Sequence, residues 1–288
     1  MKWYYRLLIG VIALAGIGLM GYPLLSNYLA EQNQKELVAY YEKQAAEMPS
    51  EERNSQWDEC YAYNQSLLTG GVRFTDPFSE SDAAVEDPLY DSLLNLDAQG
   101  AMGSLEVPGL IGPLVIYHGT RENVLQKGSG HLKGSSLPVG GKGTHCVLTG
   151  HTGLTNNKLF TNLDRLEIGD VIFLSVLGKR LAYQVDQIQT VLPNEAMEAL
   201  RIDPEQDYVT LITCTPYGIN SHRLLVRGTR IEYEEAKRIA DDTENRGSTW
   251  ASQYIKSILA GVVIATVLWV IILLIRLIKN SIKKRKAQ

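Results

Sequence analysis

The sequence predicts a mainly β domain held between two membrane-spanning helices. Seven short β-rich runs, separated by glycine and proline, lie between residues 105 and 233. Two long uncharged segments, residues 7–30 and 257–275, lie near the ends of the chain. Strands at such spacing are typical of an all-β barrel or sandwich, and the pattern leaves both open. About 20 apolar residues suffice for a helix to cross a bilayer.

The order of the elements divides the chain into seven parts. Residues 31–48 and about 50–68 have helical patterns, which Pro49 separates and Gly70 ends. The β-rich runs are 105–107, 114–117, 145–149, 171–176, 180–191, 208–214 and 223–233. We therefore predict an N-terminal anchor (1–30), helices (31–71), a turn-rich connector (72–103), a β domain (104–233), a linker (234–256), a second membrane helix (257–275) and a basic cytoplasmic tail (276–288).

Charge predicts the membrane topology. Lysine and arginine precede the first uncharged segment and follow the second. Positively charged flanks of membrane helices stay in the cytoplasm. Both termini are therefore expected inside the cell, with residues 31–250 on the extracellular face and membrane lipid around the two helices. A cleaved signal peptide is the alternative for the first segment. The bulky Tyr28 near its end argues against a cleavage site there.

The charge balance also limits the partners. Residues 31–250 contain 19 basic and 32 acidic side chains, a net charge of −13. Such a surface is unsuited to nucleic acid and favours a cationic partner, such as an exposed lysine of another protein. No cysteine or histidine pair has a short metal-binding spacing, so we predict no metal and no cofactor. The sequence does not indicate an oligomeric state.

Cys214 is the candidate nucleophile among three cysteines. An odd number leaves at least one thiol unpaired in an exported domain. Cys214 ends a strongly β-forming run, residues 209–213, and begins a loop, which places a side chain where a substrate can reach it. Cys60 on a predicted helix and Cys146 inside an apolar run are interpreted as packing residues.

His151 and Arg223 are the candidate partners of that thiol. His151 leaves a predicted strand between glycines, so its ring can reach a cleft; an imidazolium there would favour the thiolate and protonate a leaving amine. Arg223 follows Cys214 by nine residues and starts the next predicted strand. If the two strands pair, its guanidinium could donate hydrogen bonds to an oxyanion. His131 and His145 are interpreted as structural.

These residues resemble the sortase family, and the resemblance covers roughly residues 36–233. The segment TLITC at 210–214, with an arginine nine residues on, has the form of the sortase nucleophile motif, and LTGH at 148–151 resembles the family's histidine segment. Class C, the pilus-assembling sortases of Gram-positive bacteria, is most similar in the segments IYHGT (116–120), GHL (130–132), SLPVGG (136–141) and TPYG (215–218). The resemblance implies a closed β-barrel, with Cys214, His151 and Arg223 as its catalytic residues.

Class C sortases also have a lid with an Asp-Pro-aromatic tripeptide over the active site. Asp76, Pro77 and Phe78 match it. The resemblance implies that Asp76 approaches the Cys214 thiol and Arg223, and that Phe78 fills the apolar acyl-binding groove. An ordinary Asx-Pro turn is the alternative interpretation of these three residues.

The resemblance implies a transpeptidase. Cys214 would attack an LPXTG-like sorting signal, and a lysine of a pilin subunit would resolve the thioacyl enzyme to build a covalent pilus. A housekeeping sortase that attaches proteins to cell-wall peptide is one alternative, and a cysteine protease is another. An alternative of a different class is a non-catalytic, membrane-tethered β-domain that scaffolds surface proteins. Alkylation of Cys214 at neutral pH would separate the catalytic and scaffolding interpretations.

Overall fold

The computed structural model describes residues 3–70, 74–78, 87–96, 99–154, 157–243 and 250–285. The chain divides into two compact units, Met1–Asn245 and Arg246–Gln288. The first unit contains the β domain with the helices that precede it. The second contains one long helix.

The β domain is a closed barrel, which decides between the barrel and the sandwich that the strand pattern left open. Its strands pair in the order β1-β2-β3-β4-β7-β8-β6-β5. Most neighbours are antiparallel, but β2 pairs with β3 and β4 with β7 in parallel. Within the described residues the strands are β1 (Ala101–Val107), β2 (Ile111–His118), β3 (Ser129–His131), β4 (Thr144–Thr149), β5 (Val171–Val176), β6 (Lys179–Val191), β7 (Asp207–Thr215) and β8 (His222–Ile231).

Helices precede, interrupt and follow the barrel. The described helices are α1 (Trp3–Glu47), α2 (Ser50–Gly70), α3 (Pro88–Ser92), α4 (Glu122–Leu125), α5 (Pro193–Ala196), α6 (Tyr233–Thr243) and α7 (Trp250–Arg285), with 3-10 turns at Leu163–Arg165 and Met197–Leu200. The break between α1 and α2 falls at Pro49, as predicted. Glu51 and Glu52 in the first turn of α2 face the positive end of its dipole.

Four elements differ from the sequence-based expectation in presence or bounds. β3 was not predicted, because a strand of three residues is too short to produce a pattern. α6 forms where we expected a connector, since Ala236 and Ala240, four residues apart, pack against Val171 and Ala182 of the barrel. β1 begins at Ala101, inside the predicted connector, and α3 also lies in that region.

α1 is attached to the barrel along its C-terminal part. Val38, Tyr41 and Ala45 lie on one face of the helix and pack against Val115 and Tyr117 of β2. Each large buried side chain of this kind stabilises the packing by roughly 1.5–3 kcal/mol. The hydroxyl of Tyr41 also donates a hydrogen bond to the Met102 carbonyl, at 2.7 Å. The helix and the barrel therefore form one body.

α1 is long and apolar enough to cross a membrane. Its most apolar 18-residue window has a mean hydropathy of 2.1 and is not buried inside the protein. In α7 the apolar stretch Tyr254–Trp269 is shorter than a full span, as counted over the residues that are described. The second predicted span therefore stays a prediction.

Candidate active site

The barrel brings Cys214, His151 and Arg223 to the same end of three neighbouring strands. In the parallel β4–β7 pair Thr149 lies opposite Ile212, so the same register continued for two residues places His151 beside Cys214. In the antiparallel β7–β8 pair Cys214 lies directly opposite Arg223. Neighbouring strands are about 4.8 Å apart, and directly opposed side chains share one face of the sheet. Cys214 and Arg223 are therefore direct neighbours, and His151 follows the end of the adjacent strand at the same end of the barrel.

Cys214 is a free, largely covered thiol. Its residue is 9% exposed, and all three cysteines of the chain are free. Burial raises the pKa of the Cys214 thiol, the positive charge of Arg223 lowers it, and the carboxylate of Asp76 raises it, with a net increase. Burial thus disfavours the nucleophilic thiolate in this arrangement.

Arg223 is engaged on both sides of its guanidinium. Nε donates to Oδ1 of Asp76 at 2.9 Å and Nη2 to Oδ2 at 2.6 Å, a bidentate pair. Nη1 donates to the carbonyls of Asn220 and His222, both at 3.1 Å. The backbone contacts orient the side chain, while Asp76 occupies Nε and Nη2.

The predicted lid tripeptide, residues 76–78, lies over this corner and is called the lid segment below. Pro77 is buried, and the ring of Phe78 has its centroid 5.8 Å from that of His151 and 5.0 Å from Cζ of Arg223. Phe78 also packs on an apolar cluster that includes Ile212. The lid segment thus contacts both candidate partners of the thiol; its flanks, residues 71–73 and 79–86, lie outside the described part of the chain.

His151 is positioned by the backbone just before it. The Gly150 amide donates to the Ile212 carbonyl at 3.1 Å, and the Thr213 hydroxyl donates to the Gly150 carbonyl at 2.7 Å. A Cβ on Gly150 would lie 2.7 Å from the ring of Phe160, so only glycine fits without a shift. The requirement for Gly150 was not predicted, because Phe160 comes from a loop with no motif of its own.

The loops after Cys214 and His151 contact each other. The ring of Tyr217 lies against Gly153, and its hydroxyl donates to the Gly153 carbonyl at 3.4 Å. Gly153 has a φ of +82°, and a Cβ there would approach the tyrosine ring to 3.0 Å. This contact couples the position of the imidazole loop to that of the thiol loop.

The comparisons with known proteins identify the family. The Sortase domain family model matches residues 105–231. The structure of Sortase C1 of GBS Pilus Island 1 is 40% identical, covers 69% of this chain and 93% of its own, and has a TM-score of 0.61. Streptococcus pneumoniae Sortase C is 42% identical with coverages of 69% and 97% and a TM-score of 0.61. The chain belongs to the sortase family.

Sequence relatives of this sortase are more distant. Sortase A of Bacillus anthracis is 26% identical over 78% of this chain and 93% of its own length. Sortase A of Listeria monocytogenes is 29% identical over 53% of this chain and 65% of its own. The structural neighbours are class C pilus sortases, including sortase C-1 from Actinomyces oris at 43% identity and a TM-score of 0.58. The protein is accordingly a cysteine transpeptidase by family.

Two of the other histidines and both other cysteines of this sortase lie in the protein interior. Burial lowers the pKa values of His131 and His145 to about 4, and it raises the pKa of the Cys60 thiol to about 12. Burial also raises the pKa of the Cys146 thiol well above its usual range. These settings agree with their interpretation as packing residues. Among the described residues no group of three or more metal-ligating side chains is placed to hold an ion.

Proposed function

We propose that this sortase builds covalent pili, with Cys214 as nucleophile, His151 as acid/base partner and Arg223 as the donor to the oxyanion. The observation that carries the proposal is the direct pairing of Cys214 with an Arg223 whose guanidinium is capped by the lid segment. The roughly 40% identity to class C pilus sortases supports the choice of class.

The first step is acylation. The thiolate of Cys214 attacks the Thr–Gly carbonyl of an LPXTG-like sorting signal on a pilin, and a tetrahedral oxyanion forms. Arg223 donates to that oxyanion after Asp76 has released Nε and Nη2. The thiol proton goes to His151, which gives it to the departing glycine amine; the C–N bond breaks and a thioester remains on Cys214.

The second step transfers the acyl group to an amine. A lysine of a second pilin loses its ammonium proton to solvent, and the neutral amine attacks the thioester. The C–S bond breaks, an isopeptide bond forms, and an amine N–H proton passes through His151 to the departing Cys214 thiolate. The net charge of −13 over residues 31–250 favours the approach of a protonated lysine. One amide replaces another, so the reaction needs no nucleotide and no cofactor.

The chain is proposed to lie in the cell membrane through the apolar parts of α1 and α7, with both termini in the cytoplasm. The basic residues that follow residue 275 support this orientation. A Gln288→Cys variant in a Cys214→Ala background tests it. An impermeant thiol reagent should label residue 288 only after the cells are permeabilised, and labelling of intact cells would refute the orientation.

Mass spectrometry tests the chemistry. The full chain in detergent micelles, incubated with an LPXTG-containing peptide, should gain an acyl adduct on Cys214, and added lysine peptide should remove it. The Cys60→Ala variant keeps the nucleophile and serves as the control for Cys214→Ala. An adduct that persists in Cys214→Ala would overturn the assignment. Resolution by a cell-wall peptide amine but not by lysine would indicate the housekeeping class instead.

A further inference from the structure

A carboxylate that sequence reasoning did not connect with the site faces the candidate acid/base residue. Oε2 of Glu122 lies 3.1 Å from Nε2 of His151. The other carboxylate oxygen, Oε1, accepts a hydrogen bond from Nε2 of Gln126 at 2.8 Å. Glu122 and His151 are 29 residues apart, so no local motif signals the contact.

The helix that carries Glu122 is anchored independently of the lid segment and of the strands that hold the thiol. α4 connects β2 to β3, and two of its residues, Val124 and Leu125, are buried. Just beyond it, the Lys127 carbonyl accepts a hydrogen bond from the Gln34 side chain of α1. Glu122 therefore presents its carboxylate from a fixed support.

Because a carboxylate accepts hydrogen bonds, its partner nitrogen in the imidazole must carry a proton. A ring with the proton on Nε2 has Nδ1 as the nitrogen that can take up another. We propose that Glu122 is a positioning residue for His151: it selects the Nε2–H tautomer, orients the ring and leaves Nδ1 to exchange protons at the site. This inference rests on the proposed role of His151 as the acid/base partner.

The proton balance of the reaction gives Glu122 a second effect. When Nδ1 takes the proton from the Cys214 thiol, the ring becomes positive, and the carboxylate at 3.1 Å offsets that charge until the proton passes to the leaving amine. The Glu122 side chain is 66% exposed, so water weakens the interaction. Loss of an exposed ion pair of this kind changes a rate by about twofold to fivefold.

Acylation kinetics of the full chain in micelles test the proposal. Glu122→Ala should lower kcat for thioacyl formation about twofold to fivefold with an unchanged KM for the peptide, as expected for an exposed pair. Glu122→Gln keeps a side-chain oxygen that can accept a hydrogen bond from Nε2–H of His151. Its kcat should therefore lie between those of Glu122→Ala and the native chain. Glu198→Gln is the matched control, because Glu198 also forms an exposed ion pair, with Arg201, and should leave both constants unchanged.

The ¹⁵N signals of the imidazole report which tautomer the His151 ring adopts. A purely structural role of Glu122 would leave that tautomer unchanged. In ¹H–¹⁵N spectra, with the His151 signals assigned by their loss in His151→Gln, the native chain should show the Nε2–H tautomer and Glu122→Ala a mixture. An unchanged tautomer with unchanged kcat would overturn the role of Glu122, and so would a rise in KM alone. If the native chain forms no acyl adduct, the proposed function fails. The spectrum still shows, independently of the reaction, whether Glu122 selects the Nε2–H tautomer of His151.

Discussion

Asp76 and Arg223 form a bidentate ion pair that occupies Nε and Nη2 of the guanidinium, two donors of the proposed oxyanion site. The two N–H···O contacts are 2.9 Å and 2.6 Å, and both side chains are largely buried. One set of donors cannot serve a carboxylate and an oxyanion at the same time. If Arg223 serves the oxyanion as proposed, the lid segment has to release Nε and Nη2 before acylation.

Asp76→Ala should release the lid segment and speed alkylation of Cys214 by an uncharged thiol reagent at pH 7. Hydrogen bonds to charged groups contribute about 1.5–3 kcal/mol, which corresponds to a rate increase of about tenfold to a hundredfold. The rate is measured by mass spectrometry of the labelled full chain.

A matched pair in the same barrel provides the control for this variant. Arg227 of β8 forms a similar bidentate contact with Asp186, at 3.0 Å and 2.8 Å, away from the lid segment. Asp186→Ala should leave the alkylation rate near that of the native chain. Equal rates in native and Asp76→Ala chains would show that Asp76 does not close the site.

The pH dependence of alkylation should change in a defined direction. Burial raises the pKa of the Cys214 thiol, Arg223 lowers it and Asp76 raises it. Asp76→Ala removes a negative charge, frees the positive field of Arg223 and uncovers the sulfur, and all three effects lower that pKa. The alkylation profile should therefore move to lower pH than that of the native chain. A profile that stays in place or moves to higher pH contradicts this account of the thiol.

Gly150→Ala should displace His151. The added methyl would lie 2.7 Å from the Phe160 ring, so the backbone before His151 has to shift. A misplacement of about 1 Å can cost roughly a hundredfold in rate, and overpacking costs about 1–3 kcal/mol of stability. Acyl-adduct formation and thermal unfolding measure the two effects. Gly112→Ala on β2 is the control: a Cβ there would meet nothing within 4 Å, so neither adduct formation nor thermal unfolding should change. A fully active Gly150→Ala enzyme would disprove the requirement for glycine before His151.

Acidification should destabilise the folded chain through two buried histidines. Burial lowers the folded-state pKa values of His131 and His145 to about 4, while in the unfolded chain they stay near 6.5. The unfolded state therefore binds protons first, and stability is lost as the pH falls from about 6.5 to 4, by up to about 3 kcal/mol for each group. Thermal unfolding at pH 7, 6 and 5 measures the loss. Equal unfolding temperatures at pH 7 and 5 would contradict it.

Strands β7 and β8 were predictable because each is a long β-forming run, and their pairing follows from the loop between them. That pairing places Cys214 next to Arg223 from local information. β4 is also visible in the sequence, but its parallel pairing with β7 joins segments 63 residues apart. His151 was selected from its position between glycines at a strand end and from the motif resemblance, and neither signal predicted that pairing.

The contacts that sequence reasoning missed are those between segments without a pattern. Glu122 lies in a four-residue helix, and Phe160 lies in a loop. Their role depends on how the closed barrel places the connections between its strands. The spacing of Ala236 and Ala240 was a readable signal for α6, but the surrounding charges hid it.

Helix α1 continues from its apolar part to the residues that dock on β2 without an intervening hinge. Gln34, which accepts a hydrogen bond from the Val115 amide, lies only about 6 Å along the helix axis beyond residue 30, at 1.5 Å per residue. With the proposed span in the bilayer, this continuous helix would hold the barrel close to the lipid headgroups. In the proposed reaction, pilins would then have to bring both the sorting signal and the acceptor lysine down to that level.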